Sequence, residues 1–260
     1  MTLKNAKTYD AKRHGFLVGV LGPPGSGKSS FIRSALAQGP GYVALSPASE
    51  LDSYSGADVD YETFEDLEWQ PSQGKWNATA WQSLMKRVYA LPESAYRVVG
   101  FDTATALQDL AWHECMKLHK TEDPTKIGGN SYGPYTALRG LLTEFLQACQ
   151  VLAAAGKYVV TTWHVTAKES EGVGTPQVQA GELRWDEQLL PDIRSGLRTS
   201  IAGKHSLWMY ANVVVGKPPT YQLVVAPDRY RPARARAGVR FKPGVATIEN
   251  NFTKMLEALA

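Results

Sequence analysis

The stretch that most narrows what this chain can fold into is "LGPPGSGKSS", residues 21–30, which directly follows the apolar run "FLVGV". Gly22, Gly27, Lys28 and Ser29 fit G-x-x-x-x-G-K-[ST], the spacing of a phosphate-binding loop. Glycines allow successive backbone N–H groups to point inward, so Gly22, Pro23, Pro24, Gly25, Ser26, Gly27, Lys28, Ser29 and Ser30 form an anion cradle. A helix starting near Lys28 adds the positive end of its dipole. In that setting Lys28 reaches the β- and γ-phosphates of ATP, and the Ser29 hydroxyl ligates Mg²⁺. The flanks agree. Residues 16–20 are strand-like, and "SSFIRSALAQG" puts Phe31, Ile32, Ala35 and Leu36 on one helical face, with Gly39 past its end.

A chain of 260 residues with 43% hydrophobic content suits one α/β domain with small additions. The net charge of +3 gives only weak favour to a nucleic-acid partner. Cys115 and Cys149 have neither metal-site spacing nor a disulfide framework. No segment reads as a signal peptide, and no apolar run approaches ~20 residues, so the expectation is a cytoplasmic protein with no membrane partner.

Along the chain, residues 1–15 read as a basic arm, 16–247 as the folded domain and 248–260 as a terminal helix with Ile248, Phe252, Met255, Leu256 and Leu259 on its apolar face. "GYVAL" (41–45), "RVVGFDT" (97–103) and "YVVTTWH" (158–164) read as buried strands, and residues 46–75 as a long connection. "WNATAWQSLMKRVYALP" and "TALRGLLTEFLQACQVLAAAGK" read as helices. "LWMYANVVV" and "YQLVVAP" flank "GKPPT" and predict a C-terminal antiparallel hairpin. Strands alternating with helices imply a mostly parallel sheet flanked by helices, with the ligand at the carboxyl ends of the strands.

Those strand ends supply the remaining polar groups. Asp102 closes "VVGFD", the pattern of a Walker B acid that holds Mg²⁺. His164 closes "YVVTTWH", where a polar side chain can sense the γ-phosphate and relay its loss. Hydrolysis needs a group to orient water; Glu50, after the second strand, is the first choice and Asp52 competes with it.

The arrangement resembles the RecA-like ATPases, and within them the Sak-type bacteriophage ATPases linked to single-strand annealing. The resemblance rests on "GPPGSGKSS", "VVGFDTATAL", "YGPYTAL", "AGKYVVTTWHVTAKES" and "LLPDIRSGLRTSIAGKHSLWMYANVVV". It implies a RecA-type core, ATP with Mg²⁺, homo-oligomeric rings or filaments, single-stranded DNA and a single-strand-binding protein as partners, and the cytoplasm of a bacterial host. It also implies Glu50 as the catalytic acid, although "SPASELD" departs from the tidier strand-then-acid pattern of the family.

RecA-like proteins bind DNA through two loops, which correspond here to 117–135 and 167–186. The first carries Lys117, Lys120, Lys126, Tyr132 and Tyr135, cations and stacking faces of the single-strand type. The second carries Lys168, Arg184 and Trp185 among several acids. The family also implies a basic pair that reaches a neighbour's site. Arg234 and Arg236 in "PDRYRPARARAGVR" resemble it, with Arg229 and Arg231 as the fallback; the other readings of the run are a phosphate-binding patch for DNA and a solvated basic face. Two other classes compete with a DNA-dependent ATPase: a regulatory or assembly NTPase without DNA, and a small-molecule kinase.

Overall fold

A computed structural model of the chain describes residues 15–117, 120, 133–167, 189–194, 197, 200–228, 231, 233–236 and 239–260. Its strands are β1 (Phe16–Leu21), β2 (Gly41–Leu45), β3 (Asp60–Thr63), β4 (Trp69–Gln70), β5 (Lys75–Trp76), β6 (Val98–Asp102), β7 (Tyr158–Trp163), β8 (Val165–Ala167), β9 (Leu189–Pro191), β10 (Leu207–Val214), β11 (Thr220–Val224), β12 (Arg234–Ala235) and β13 (Thr247–Glu249). Its helices are α1 (Lys28–Ala35), α2 (Ala80–Ala90), α3 (Ala104–Lys117), α4 (Gly133–Ala154) and α5 (Phe252–Ala258).

Among the described residues, nine strands form one mixed sheet in the order β13-β11-β10-β1-β7-β6-β2-β3, with β12 paired to β10. The run β10-β1-β7-β6-β2-β3 is parallel throughout. β11 returns antiparallel to β10, the expected hairpin. This is the α/β, mostly parallel architecture of a P-loop NTPase core.

Burial on both faces explains why β1, β2, β6 and β7 are apolar almost without interruption: all their residues are buried. Side chains alternate across the sheet. Leu17 and Leu21 of β1 join a core with α2, α3 and α4, whereas Phe16, Val18 and Val20 join a second core with α1 and α5. The rings of Phe101 and Phe145 pack 4.9 Å apart, and those of Trp112 and Tyr135 5.2 Å apart. α3 and α4 pack against each other and against β7.

Four expectations are corrected. Residues 46–75 are not a bare connection: they hold a 3-10 turn at Ala48–Tyr54 and the parallel edge strand β3. The terminal helix spans Phe252–Ala258 rather than 248–260, because Ile248 lies in β13, paired with Leu223 of β11. Nor does that helix stand apart from the domain; Phe252 and Met255 are wholly buried in the second core. α4 begins at Gly133, earlier than the periodicity suggests, with Pro134 in its first turn, where a missing N–H costs nothing.

Candidate active site

The loop after β1 is built by close approach. The Gly22 N–H donates to the Trp163 carbonyl at 3.0 Å, tying the start of the loop to the end of β7. A Cβ on Gly22 would lie 2.5 Å from Ser26 Oγ and 2.9 Å from the Ala211 carbonyl oxygen, so no side chain fits there. Gly27 precedes α1 at φ +86°, a left-handed conformation that glycine adopts without steric cost. The Lys28 ammonium is buried and donates to the carbonyls of Gly22 at 2.9 Å and Pro23 at 2.8 Å. The first-turn N–H groups of α1 have no helical partner, and the first turn carries no acid to occupy its positive end.

In front of this cradle lies a pocket of about 260 Å³. Of the sequence-predicted residues, Pro24, Gly25, Gly27, Lys28, Ser29, Ser30, Glu50 and His164 line it. Gly22, Pro23 and Ser26 lie in the same loop but not in the lining, and Asp52 does not reach the pocket. The sheet order explains the gathering. β7 lies between β1 and β6, so His164 emerges between the phosphate loop and Asp102, and β2 beyond β6 delivers Glu50 from the far side.

Asp102 itself is fully buried, and its neighbour Thr103 is the residue that faces the pocket. Both carboxylate oxygens of Asp102 accept hydroxyls: Tyr54 Oη at 2.8 Å and Thr162 Oγ1 at 2.5 Å. A carboxylate has about four lone-pair sites, so Asp102 retains capacity toward a metal-bound water. Among the described residues no three His, Cys, Asp or Glu side chains form a metal cluster. Mg²⁺ is commonly held by one or two protein groups together with phosphates and water. Ser29 and Asp102 are the residues that fit the ion.

The charges are strongly coupled. Burial lowers the pKa of Lys28 to about 8, even though Asp102 and Glu50 oppose the shift. Burial raises that of Glu50, as does the negative charge of Asp102, while Lys28 counteracts them. His164 is lowered by burial and by Lys28, so it stays mainly neutral at pH 7. Its Nδ1 is buried without a partner among the described residues. The His164 backbone is fixed on both sides: its N–H donates to Thr105 Oγ1 at 2.8 Å, and its carbonyl accepts the Asp192 N–H at 2.9 Å.

Beyond the pocket the predicted residues scatter. The Lys117 ammonium donates to the Ala78 carbonyl at 2.9 Å and to Glu114 at 2.5 Å. Lys120 is exposed. The Tyr135 ring packs against that of Trp112 at a tilt of 38°. Lys126, Tyr132, Lys168, Arg184, Trp185 and Arg229, with the basic arm 1–14, lie outside the described residues. Arg234 belongs to β12 and pairs with Trp208 of β10, toward the strand ends opposite the phosphate loop. Arg236 donates to the Gly203 and Lys204 carbonyls. Neither arginine lines the pocket of its own chain. Arg231 is engaged by Asp228 at 2.6 Å.

The sequence reading missed Tyr54, Thr162, Thr103 and Tyr221. A polar pair inside the buried run "YVVTTWH" was a legible hint for Thr162; nothing around Tyr54 marked it. A family model described as an AAA domain matches residues 15–236. No curated protein matches the chain.

Proposed function

The chain belongs to the AAA domain family, whose members are nucleotide-binding P-loop ATPases, and from that premise we propose that it hydrolyses ATP with Mg²⁺ and couples turnover to single-stranded DNA. The Sak-type resemblance supplies the finer part of the reading: annealing or recombination in a phage context, as a homo-oligomer working in the host cytoplasm beside a single-strand-binding protein. Hydrolysis rests on one observation, the convergence of Lys28, Glu50 and His164 on the pocket in front of the phosphate loop. The DNA half rests on the resemblance and on the basic, aromatic composition of 117–135, with Lys117, Lys120, Lys126 and Tyr132.

In this reading the phosphate chain occupies the N–H cradle. The Lys28 ammonium exchanges its two loop carbonyls for β- and γ-phosphate oxygens, a charge-assisted replacement. Glu50, with its raised proton affinity, orients a water and accepts its proton as the water oxygen bonds to the γ-phosphorus and the bond to the bridging oxygen breaks. Ser29 and Asp102 would hold Mg²⁺, which would supply neutralisation of the phosphate charge. The neutral His164, which lines the pocket, hydrogen-bonds the γ-phosphate and loses that partner with the product.

The test is ATP turnover by the full chain with and without single-stranded DNA, at low salt, beside Lys28→Ala. The reading expects turnover that rises with DNA and collapses in the folded variant. Turnover indifferent to DNA removes the DNA half and leaves the assembly NTPase. Phosphoryl transfer to a nucleoside acceptor points to the kinase. Unchanged hydrolysis in Lys28→Ala removes the site itself.

A further inference from the structure

Gly27 is touched from behind by a side chain that lies beyond the matched residues 15–236. The Asn250 Nδ2 amide donates to the Gly27 carbonyl at 2.8 Å. The approach is so close that a Cβ on Gly27 would sit 2.4 Å from that nitrogen. Asn250 is delivered by the end of β13, where its own N–H donates to the Tyr221 carbonyl at 3.0 Å. The segment is then fastened along α1 and the 3-10 turn after it: the Phe252 N–H donates to Ser34 Oγ at 2.8 Å, Gln38 Nε2 donates to Thr253 Oγ1 at 3.0 Å, and the Phe252 ring packs 5.4 Å from that of Phe31.

The carbonyl that Asn250 holds is one end of the Gly27–Lys28 peptide, which is not among the cis bonds of the chain. A trans peptide is planar, and its C=O and N–H point in opposite directions. A donor fixed behind the carbonyl therefore aims the Lys28 N–H forward, into the cradle. The Gly27 carbonyl also accepts the Phe31 N–H at 3.0 Å, the ordinary first helical bond. Asn250 takes the second lone pair, so the first turn of α1 is pinned where helices otherwise fray. We propose that Asn250 is a positioning residue for phosphate binding, acting through the Gly27–Lys28 peptide plane. The proposal rests on the nucleotide reading of this pocket and adds to it a residue from the C-terminal segment.

The experiment titrates ATP and, separately, inorganic tripolyphosphate onto the full chain and onto Asn250→Ala, Asn250→Ser and Thr253→Val, with thermal unfolding of each. Asn250→Ala loses the donor and Asn250→Ser draws it back, its hydroxyl standing one bond short of the amide nitrogen, and both ligands weaken by about fivefold or more. Tripolyphosphate, which has no base or sugar, loses the same factor as ATP. Thr253→Val loosens the same segment away from Gly27; it lowers the unfolding temperature and leaves both affinities unchanged. A purely structural role would move stability in all three and affinity in none, or affinity equally in all three; either result overturns the proposal. If Asn250→Ala does not fold, Asn250→Ser carries the comparison. An unsubstituted chain that binds neither ligand overturns the nucleotide site and the role of Asn250 together. One that binds both and is indifferent to Asn250 overturns the role alone.

Discussion

Lys28 spends its charge on two carbonyls in the free site, and burial makes that charge costly, which is why its pKa falls to about 8. The sign of the pH dependence follows. An unfolded lysine titrates near 10.4, so the folded state disfavours the protonated form; the penalty is complete below pH 8 and relaxes between pH 8 and about 10.4. The stability advantage of Lys28→Met over the unsubstituted, nucleotide-free chain should therefore shrink across that interval in denaturant titrations. A bound triphosphate reverses the balance, because it favours the ammonium. ATP binding near pH 8 should take up a proton, visible by calorimetry in buffers of different ionisation enthalpy, and affinity should decline as pH rises further. Lys28→Arg, if it still binds, should show neither effect. Glu50 carries the complementary shift. Glu50→Gln should keep ATP binding and reduce turnover roughly a hundredfold or more, the usual contribution of a positioned base; the same loss in Asp52→Asn with Glu50→Gln active would transfer the role to Asp52.

At the scale of elements, the 3-10 turn at Ala48–Tyr54 unites two functions that the sequence keeps apart. It begins by presenting Glu50 to the pocket and ends by placing the Tyr54 hydroxyl on Asp102. The phenol is almost fully buried, and its pKa is held well above the usual tyrosine value by burial and then by the Asp102 charge, so it remains a donor at any working pH. Tyr54→Phe leaves the ring in the second core and removes one hydrogen bond to a buried carboxylate. A loss of about 1.5–3 kcal/mol in unfolding free energy is expected for a bond to a charged group. Because the same turn carries Glu50, turnover should fall as well, with the Mg²⁺ dependence of the rate altered. A variant with unchanged stability and unchanged Mg²⁺ dependence would show that the hydroxyl only fills space.

For the whole molecule, the open question is whether one chain completes a neighbour's site. Arg234 in β12 and Arg236 just after it lie beside the Gly203–Lys204 turn, away from their own pocket, and both are exposed. That placement is compatible with a trans role, which our reading assigns to them and which could be worth ~10³ or more in rate. Subunits carrying Arg234→Ala and Arg236→Ala, mixed with Lys28→Ala subunits, should recover turnover at mixed interfaces; inactivity at every ratio, in oligomers shown to be mixed, would end the idea. No helix among the described residues is long and apolar enough to cross a membrane. The sequence by itself determined the parts that are local: the loop of Gly22–Ser29, the buried strands that end at Asp102 and at His164, and the β10–β11 hairpin. Each of these is written in spacing and periodicity over fewer than about twenty residues, because phosphate cradles and strand burial are short-range requirements. Only the tertiary structure decided that β7 slots between β1 and β6, that Asp102 lies behind Thr103 under two hydroxyls, that Lys117 turns inward and that Asn250 reaches Gly27. The Asn250–Gly27 contact joins residues more than two hundred positions apart. Strand order and side-chain partners are chosen by which faces pack together, and no local pattern of residues carries that choice.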